Sequence, residues 1–429
     1  MRPPLESPLF WASVVGGYSL LVWPGVPSRT ESYFLKLAFV SLGLFIFLVQ
    51  VLWQNRHLSL RALGSRALSQ LRHPFVALAL LYASWTLVAS AFSPFPALSL
   101  LGSSDDYQDG SLAEVLFVFL AVAAYYGGRE ALKGIRWGLI GSGLVLTLWA
   151  LVEVVLHKGL YYPVATADLP LGSFPGKGHL AGFLLFALPP MWPAWGPSLL
   201  TALALGVTYT RAALLGLSLA YFAGMWRPSY GLKRHLALGV GLALAVMAGL
   251  HLGRSTQVAG GKELASGTTW ETRRILWTTA WRGIIERPWT GFGGGVFYLY
   301  WPRFATKDEI SRLLWLEKGF KVLEVRGMAI LVQKEDGQKV LARTDGWKAH
   351  NEFLDLALMW GVPGAAIFVV LALGALVRGF REGEPLLALG LGAYLVFLLL
   401  WYMPAEVKGA FWPVLGGLWA LKRVGEGRT

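Results

Sequence analysis

The sequence predicts an all-α polytopic membrane protein, with about twelve transmembrane helices and one large external loop that holds an amphipathic helix and a small β-hairpin. Three observations lead there. Of 429 residues, 55% are hydrophobic and only 15% charged, and the mean hydropathy of +0.52 lies outside the range of a soluble globular domain. Apolar runs of about 17 to 25 residues recur along the chain, the length a helix needs to cross the hydrocarbon core, where an open sheet could not satisfy its backbone. One polar stretch, 253–349, interrupts them and leaves about nine helices in 1–252 and about three in 350–429.

Met1 to Pro8 is short and the first apolar run lacks a small-residue cleavage site, so it reads as a retained helix rather than a signal peptide. Twenty Trp, many near segment ends, fit interfacial anchoring. Arg56, Arg61, Arg66 and Arg72, then Arg129, Lys133 and Arg136, then Arg227, Lys233 and Arg234, then Arg378 and Arg381, then Lys422, Arg423 and Arg428 fall on alternate sides of the helix count. They share one face, which the positive-inside rule makes cytoplasmic. The expected placement is therefore the cytoplasmic (inner) membrane, multi-pass, with both termini inside. The loops holding Asp105 and Asp106, Tyr161 and Tyr162, Arg211, and the polar stretch face the periplasm or exterior.

The chain has no Cys and seven His without ligand spacing, so neither a disulfide framework nor a thiol nucleophile is possible, and no metal site or cofactor is expected. Between Leu199 and Trp226 the only charge is Arg211, in Val207-Thr208-Tyr209-Thr210-Arg211. A charge amid apolar helices is a functional candidate by default. It marks the end of a tight helical hairpin, where Thr210 can cap the next helix and the positive N-terminus can add to Arg211 in binding phosphate. The alternative is a structural arginine paired with carbonyls or an acid. Lys177 and His179, at the start of another span, are weaker candidates.

The polar stretch carries sixteen Lys plus Arg against ten Asp plus Glu over 253–349, about +6, which suits either an anionic ligand such as a phosphate-bearing lipid or a solvated basic surface, rather than nucleic acid. Residues 268–286 begin with a Thr cap and place Trp270, Trp277, Trp281 and Ile284 at helical spacing, an amphipathic helix lying on the membrane with Arg273 on the Trp face. Pro288 stops it, and Gly291-Phe292-Gly293-Gly294-Gly295 reads as a flexible turn whose bare amides can approach a ligand. Lys321 to Gln333 and Gln338 to Arg343 read as two strands around Glu335-Asp336-Gly337, a structural flap. His350 then opens the apolar run Asn351 to Val377. There an imidazole can take a proton from an incoming hydroxyl, or serve as a cap.

Four stretches, in order, resemble the O-antigen ligase and polymerase superfamily of lipid-linked glycan transferases, membrane glycosyltransferases of the C type. Gly172 to Phe183 resembles the family's Gly-x-Phe-x-Asn-x-Asn-x-x-Ala-Gly pattern, and Thr210-Arg211 its Ser/Thr-Arg-Gly helix start. Arg273-x-x-x-Trp277 with Pro288-x-x-Gly291-x-Gly293 resembles its loop helix, and Ala349-His350-Asn351 with Gly361-x-Pro363-Gly364 its Ala-His-Asn helix. The departures are Lys177 and His179 near the usual asparagines, Ala212 where Gly is usual, and Arg274 beside Arg273. Leu101 to Gly110 is a looser match to an external Gly-Ser...Tyr-x-x-Gly segment.

The resemblance implies a metal-independent, inverting transfer of a glycan from undecaprenyl pyrophosphate to an acceptor hydroxyl. Arg211 with Arg273 or Arg274 would hold the pyrophosphate and His350 would deprotonate the acceptor, with Asn351, His179 and Lys177 in support. Partners would be the lipid-linked glycan donor, a glycan or lipid-glycan acceptor such as lipid A core, and membrane lipids. A ligase is favoured over a polymerase or a protein oligosaccharyltransferase because no appended soluble repeat domain is present. A related peptidoglycan polymerase would rely on an acid such as Glu271, Asp308 or Asp345. A flippase or transporter is the alternative from another class, but the sequence shows no clear internal repeat or discontinuous-helix pair and few acids inside the spans, with Glu153 and Glu114 the exceptions.

Overall fold

The computed structural model describes residues 6–24, 29–102, 109–163, 169–226, 231–259, 268–327, 329–342 and 348–421. The first part holds α1 (Pro8–Leu20), α2 (Arg29–Gln54), α3 (Leu60–Gln70), α4 (Pro74–Ala91), α5 (Pro96–Leu101), α6 (Ser111–Leu156), α7 (Lys177–Met191), α8 (Trp195–Val207), α9 (Arg211–Met225) and α10 (Leu232–Ala259). The polar segment holds α11 (Thr268–Glu286), α12 (Phe297–Phe304), α13 (Lys307–Lys318), β1 (Lys321–Arg326), β2 (Ala329–Gln333) and β3 (Lys339–Leu341). Three helices close the chain: α14 (Glu352–Arg381), α15 (Pro385–Leu398) and α16 (Ala405–Trp419).

Five of these, α2, α4, α6, α10 and α14, are long and apolar enough to cross a membrane, and α8, α9 and α15 are shorter apolar helices. The architecture is that of a helical membrane protein. Pro74, Pro96 and Pro385 stand in the first turns of α4, α5 and α15, where a missing N–H costs nothing. Arg129, Lys133 and Arg136 lie in helix rather than in a loop, because Gly128 (φ 59°, ψ −139°) breaks α6 and redirects it without a connecting segment.

In the bundle, α6 packs against α1 and α16, α8 against α10, and both α7 and α9 against α15. The connection after α8 is as tight as the sequence suggests, but α8 and α9 pack mainly on other helices rather than on each other. At the centre Phe368 stacks on Phe411 (centroids 5.7 Å apart, planes at 17°) and Tyr82 lies against Trp412 at 5.6 Å. Lipid tails are as apolar as these rings, so close packing and dispersion hold the bundle rather than transfer from water.

The polar segment has a core of its own. Ile275, Leu276, Ala280 and Ile284 of α11 are buried with Phe292, Trp301, Leu313, Leu314 and Leu358. The buried stripe of α11 is thus aliphatic, and Ile284 turns into protein, while Trp270 and Trp281 stay more than half exposed. The side chains of Thr268 and Thr269 lie outside the described residues. Two ion pairs, Arg282 to Glu309 at 2.6 Å and Arg312 to Glu271 at 2.8 Å, tie α11 to α13 at the surface.

The glycine-rich turn corrects its sequence reading, since its amides are not bare. Gly361 (φ 70°, ψ 172°) breaks α14 and frees the carbonyls of Leu358 and Met359. Phe292 N donates to Leu358 O at 2.8 Å and Gly293 N to Met359 O at 2.9 Å, while Val362 N donates to Pro288 O at 2.8 Å. Gly294 N donates to Ser99 Oγ at 2.9 Å and Trp85 Nε1 to Trp360 O at 2.8 Å. Polar backbone freed inside an apolar layer must find new partners, and the turn supplies them. The strands also differ from expectation. Gly327 (φ 61°) ends the first strand early, so Lys321 to Gln333 forms two strands of a three-stranded antiparallel sheet in the order β1-β2-β3. Arg343 lies outside the described residues.

Candidate active site

The segment around His350 is stitched to the α15–α16 connection. Asn351 caps α14 by accepting from Phe353 N and Leu354 N, both at 3.1 Å, and its Nδ2 donates to Leu399 O at 3.0 Å. Glu352 N donates to Trp401 O at 3.0 Å, and Met403 N donates to Glu352 Oε2 at 2.7 Å. These bonds bring Trp401 and Tyr402, stacked at 6.1 Å and 13°, up to His350. The imidazole stands edge-on to both, 5.3 Å from Trp401 and 5.4 Å from Tyr402.

His350 adopts a left-handed backbone (φ 53°), which turns its ring back onto its own chain. Nδ1 lies 3.0 Å from Lys348 O. A carbonyl only accepts, so Nδ1 carries the proton and Nε2 keeps the lone pair. Burial pushes the imidazole down to about 4, with Arg273 and Lys348 adding to the effect and the Lys348 carbonyl opposing it. The ring is a neutral base at neutral pH.

Arg273, one face of α11 away from Arg274, shares a cavity of about 230 Å³ with His350, Trp401, Thr272, Leu276, Leu313 and Glu317. Its guanidinium lies 5.7 Å above the Trp401 ring. Two of these residues carry a donor without an acceptor: Arg273 Nε and Trp401 Nε1 are buried and have no hydrogen-bond partner among the described residues. A buried donor left unsatisfied costs about 1–3 kcal/mol. Neither group can accept, so a ligand that reached them would offer acceptor oxygens, while Glu317 in the same lining is itself an acceptor. Burial lowers the Arg273 pKa, yet a guanidinium remains charged.

Beneath His350 lies a buried ion network that the sequence reading missed. Lys348 Nζ reaches Asp109 Oδ2 at 2.5 Å and lies 5.0 Å over the Tyr402 ring. Lys408 Nζ is 2.9 Å from Glu114 Oε2 and 4.0 Å from Asp109 Oδ1, and Tyr82 donates its hydroxyl to Glu114 Oε1 at 3.2 Å. Ala349 N donates to Asp355 Oδ1 at 2.9 Å. Each buried ion costs several kcal/mol unless paired, so these partners hold one another in place.

Of the sequence-derived candidates, the structure brings Arg273 and His350 together and sets His179 close by, its Nε2 hydrogen-bonded to the Tyr402 hydroxyl at 2.8 Å. Lys177 is half-buried at the first position of α7. Both polar atoms of the Asn351 side chain are spent on the cap and on Leu399. Arg274 is exposed in a separate groove with Glu271, Thr278, Asp308, Glu309 and Arg312. Arg211 is exposed at the start of α9 and does not line the His350 cavity. Thr210 precedes it without a capping bond, donating instead to Thr208 O at 3.3 Å.

The acids considered for other chemistries are also placed. Glu271 is held in a two-point contact by Arg312, Asp308 sits in the first turn of α13, and Asp345 lies outside the described residues, as do Asp105 and Asp106. Glu153 accepts from Trp149 Nε1, Leu160 N, Leu171 N and Gly172 N, at 2.7 to 3.0 Å. It anchors Leu160, Leu171 and Gly172 to α6.

Residues 196–321 match the family model described as O-Antigen ligase. The match spans Arg211, Arg273 and Arg274, ends before His350, and supports the O-antigen ligase superfamily that the separated motifs resemble. The match points to a membrane glycosyltransferase of the ligase and polymerase type. No curated protein matches the chain.

Proposed function

We propose that the protein transfers a glycan from undecaprenyl pyrophosphate to an acceptor hydroxyl at the outer face of the cytoplasmic membrane, as an O-antigen ligase-like enzyme working without a metal and with inversion at the sugar. The observation that carries this reading is the cavity in which a buried, acceptor-less Arg273 Nε faces a neutral His350. Arg273 holds the pyrophosphate and stabilises its charge as the sugar C1 departs. Arg211 supplies a second cation to the donor from outside the cavity, at the N-terminus of α9. His350 Nε2 accepts the proton of the attacking hydroxyl. A lipid A core acceptor is preferred over a growing glycan or a protein hydroxyl. In this reading both termini are cytoplasmic and 253–349 is the external segment.

An ion-coupled transporter is less well supported, because Glu153 is satisfied by four donors and Glu114 is paired with Lys408 and Tyr82. The test is transfer from purified undecaprenyl-pyrophosphate-linked glycan, in detergent with EDTA, onto lipid A core, glycan-repeat and protein acceptors. Transfer by wild type and its loss in His350→Ala supports the enzyme. Donor binding without transfer to any acceptor would sink it.

A further inference from the structure

We propose that Asp109 is a positioning residue for this reaction: by anchoring Lys348, it holds the carbonyl that decides which nitrogen of His350 is the base. The inference rests on the transferase reading above. Its structural basis lies in four consecutive residues, of which three are tied to different parts of the fold. Lys348 is bound through its ammonium to Asp109, just before α6. Ala349 N is bound to Asp355 in α14, and Asn351 to Leu399 after α15. Only His350 is held from within the segment, by Lys348 O.

The orientation of the base is therefore no firmer than the position of Lys348. That residue is anchored through its side chain. The ammonium and the Asp109 carboxylate are both nearly buried, with 12% and 5% of their side chains exposed. Lys408 lies 4.0 Å from the other oxygen of the same carboxylate. The Tyr402 ring covers Lys348 and is itself bonded to His179. A displaced Lys348 carbonyl would release Nδ1, allow the proton to move to Nε2, and turn a base into a donor towards the incoming hydroxyl. Asp109 touches neither reactant in this scheme.

The test reads the tautomer directly. Full-length protein carrying ¹⁵N-imidazole histidine is examined in lipid nanodiscs, with the His350 signal assigned by its loss in His350→Gln. Wild type should show the Nδ1–H form. Asp109→Asn and Lys348→Met should each show a mixture of the two neutral forms. Transfer should fall roughly 10- to 100-fold in kcat with the donor KM little changed, the scale expected of a misplaced catalytic group. The double variant should be no worse than either single, because one contact is removed twice. Asp109→Glu should regain the Nδ1–H form and part of the rate.

A wild-type protein in the Nε2–H form overturns the inference whatever the variants do. So does an Asp109→Asn protein that keeps the Nδ1–H form, whether it retains turnover or loses it through a lowered unfolding temperature. The tautomer is measured without turnover. Failure of wild type to transfer glycan to any acceptor would sink the enzyme assignment separately.

Discussion

Arg273 and His350 meet across a single indole: the guanidinium lies 5.7 Å above the Trp401 ring and the imidazole stands edge-on to it at 5.3 Å, with planes at 87°. A cation in that position is attracted by the ring face, an interaction of roughly 0.5–2 kcal/mol that grows as water is excluded. The indole thus sets the spacing between the group assigned to the leaving pyrophosphate and the group assigned to the acceptor.

The pH dependence of transfer follows from the protonation of His350. Protonation removes the Nε2 lone pair, so activity is present above the imidazole pKa and lost as pH falls through it. With burial holding that value at about 4, kcat/KM should stay level through the neutral range. It should decline only in acid well below the ordinary histidine value of about 6.5. A half-loss close to the ordinary value, with folding intact, would contradict the buried neutral base.

The two adjacent arginines should separate cleanly. Arg273→Ala is expected to lower kcat/KM on the order of 10²-fold, as loss of a preorganised charge at a leaving group does. Arg274→Ala, which opens only the groove with Glu271 and Arg312, should stay within about twofold, as for most exposed charges. Arg211→Ala should act on the donor KM. Steady-state kinetics on the three variants, with the donor varied at saturating acceptor, decides between them.

Lys408→Met should destabilise the fold by about 3–5 kcal/mol, because Glu114 would keep buried charge without its cation, while Asp109 keeps Lys348. Adding Glu114→Gln should recover part of that loss by removing one stranded carboxylate. Unfolding in detergent can be followed by the fluorescence of the twenty Trp. Equal stability of the single and double variants would mean that the pair is not energetically coupled.

Gly361→Ala tests the break in α14. A Cβ at Gly361 would stand 1.9 Å from Trp289 O on a backbone with φ +70°, whereas Gly383, at φ +96°, has nothing within 4 Å of its added Cβ. Gly383→Ala should cost about 1 kcal/mol of left-handed strain. Gly361→Ala must also displace the turn that satisfies Leu358 and Met359. It should lower the unfolding temperature clearly further, measured in parallel.

The membrane class and the helix carrying Arg273 were readable along the chain, and His350 stood out as the start of an apolar run, because hydropathy and helical spacing are local properties. The rest of the site was not. Trp401 and Tyr402 look like interfacial anchors, no different in sequence from the other aromatics that end a span. The partners in the buried network are far apart in the chain: Lys408 and Glu114 are separated by 294 residues, and no local pattern announces such a pair. The glycine turn was misread for a related reason. Its composition signals exposed amides, and only the broken helix packed against it shows where those amides go. The choice between Arg273 and Arg274 needed the direction of α11 relative to α14, which spacing within α11 alone does not contain.

A segment joined to a membrane body only at its two ends is a tether, free to swing. The one that follows α11 is spliced in, since its amides replace rungs missing from a spanning helix at Leu358 and Met359. Lifting α11 away would strip those two carbonyls bare in the least forgiving part of the molecule. The arm that presents Arg273 and the cap that presents His350 are therefore joined as one casting, with their separation set by the fold. On the proposed reading, a large donor would have to thread itself into a gap that is already gauged, and selection by size and shape would begin at that threshold.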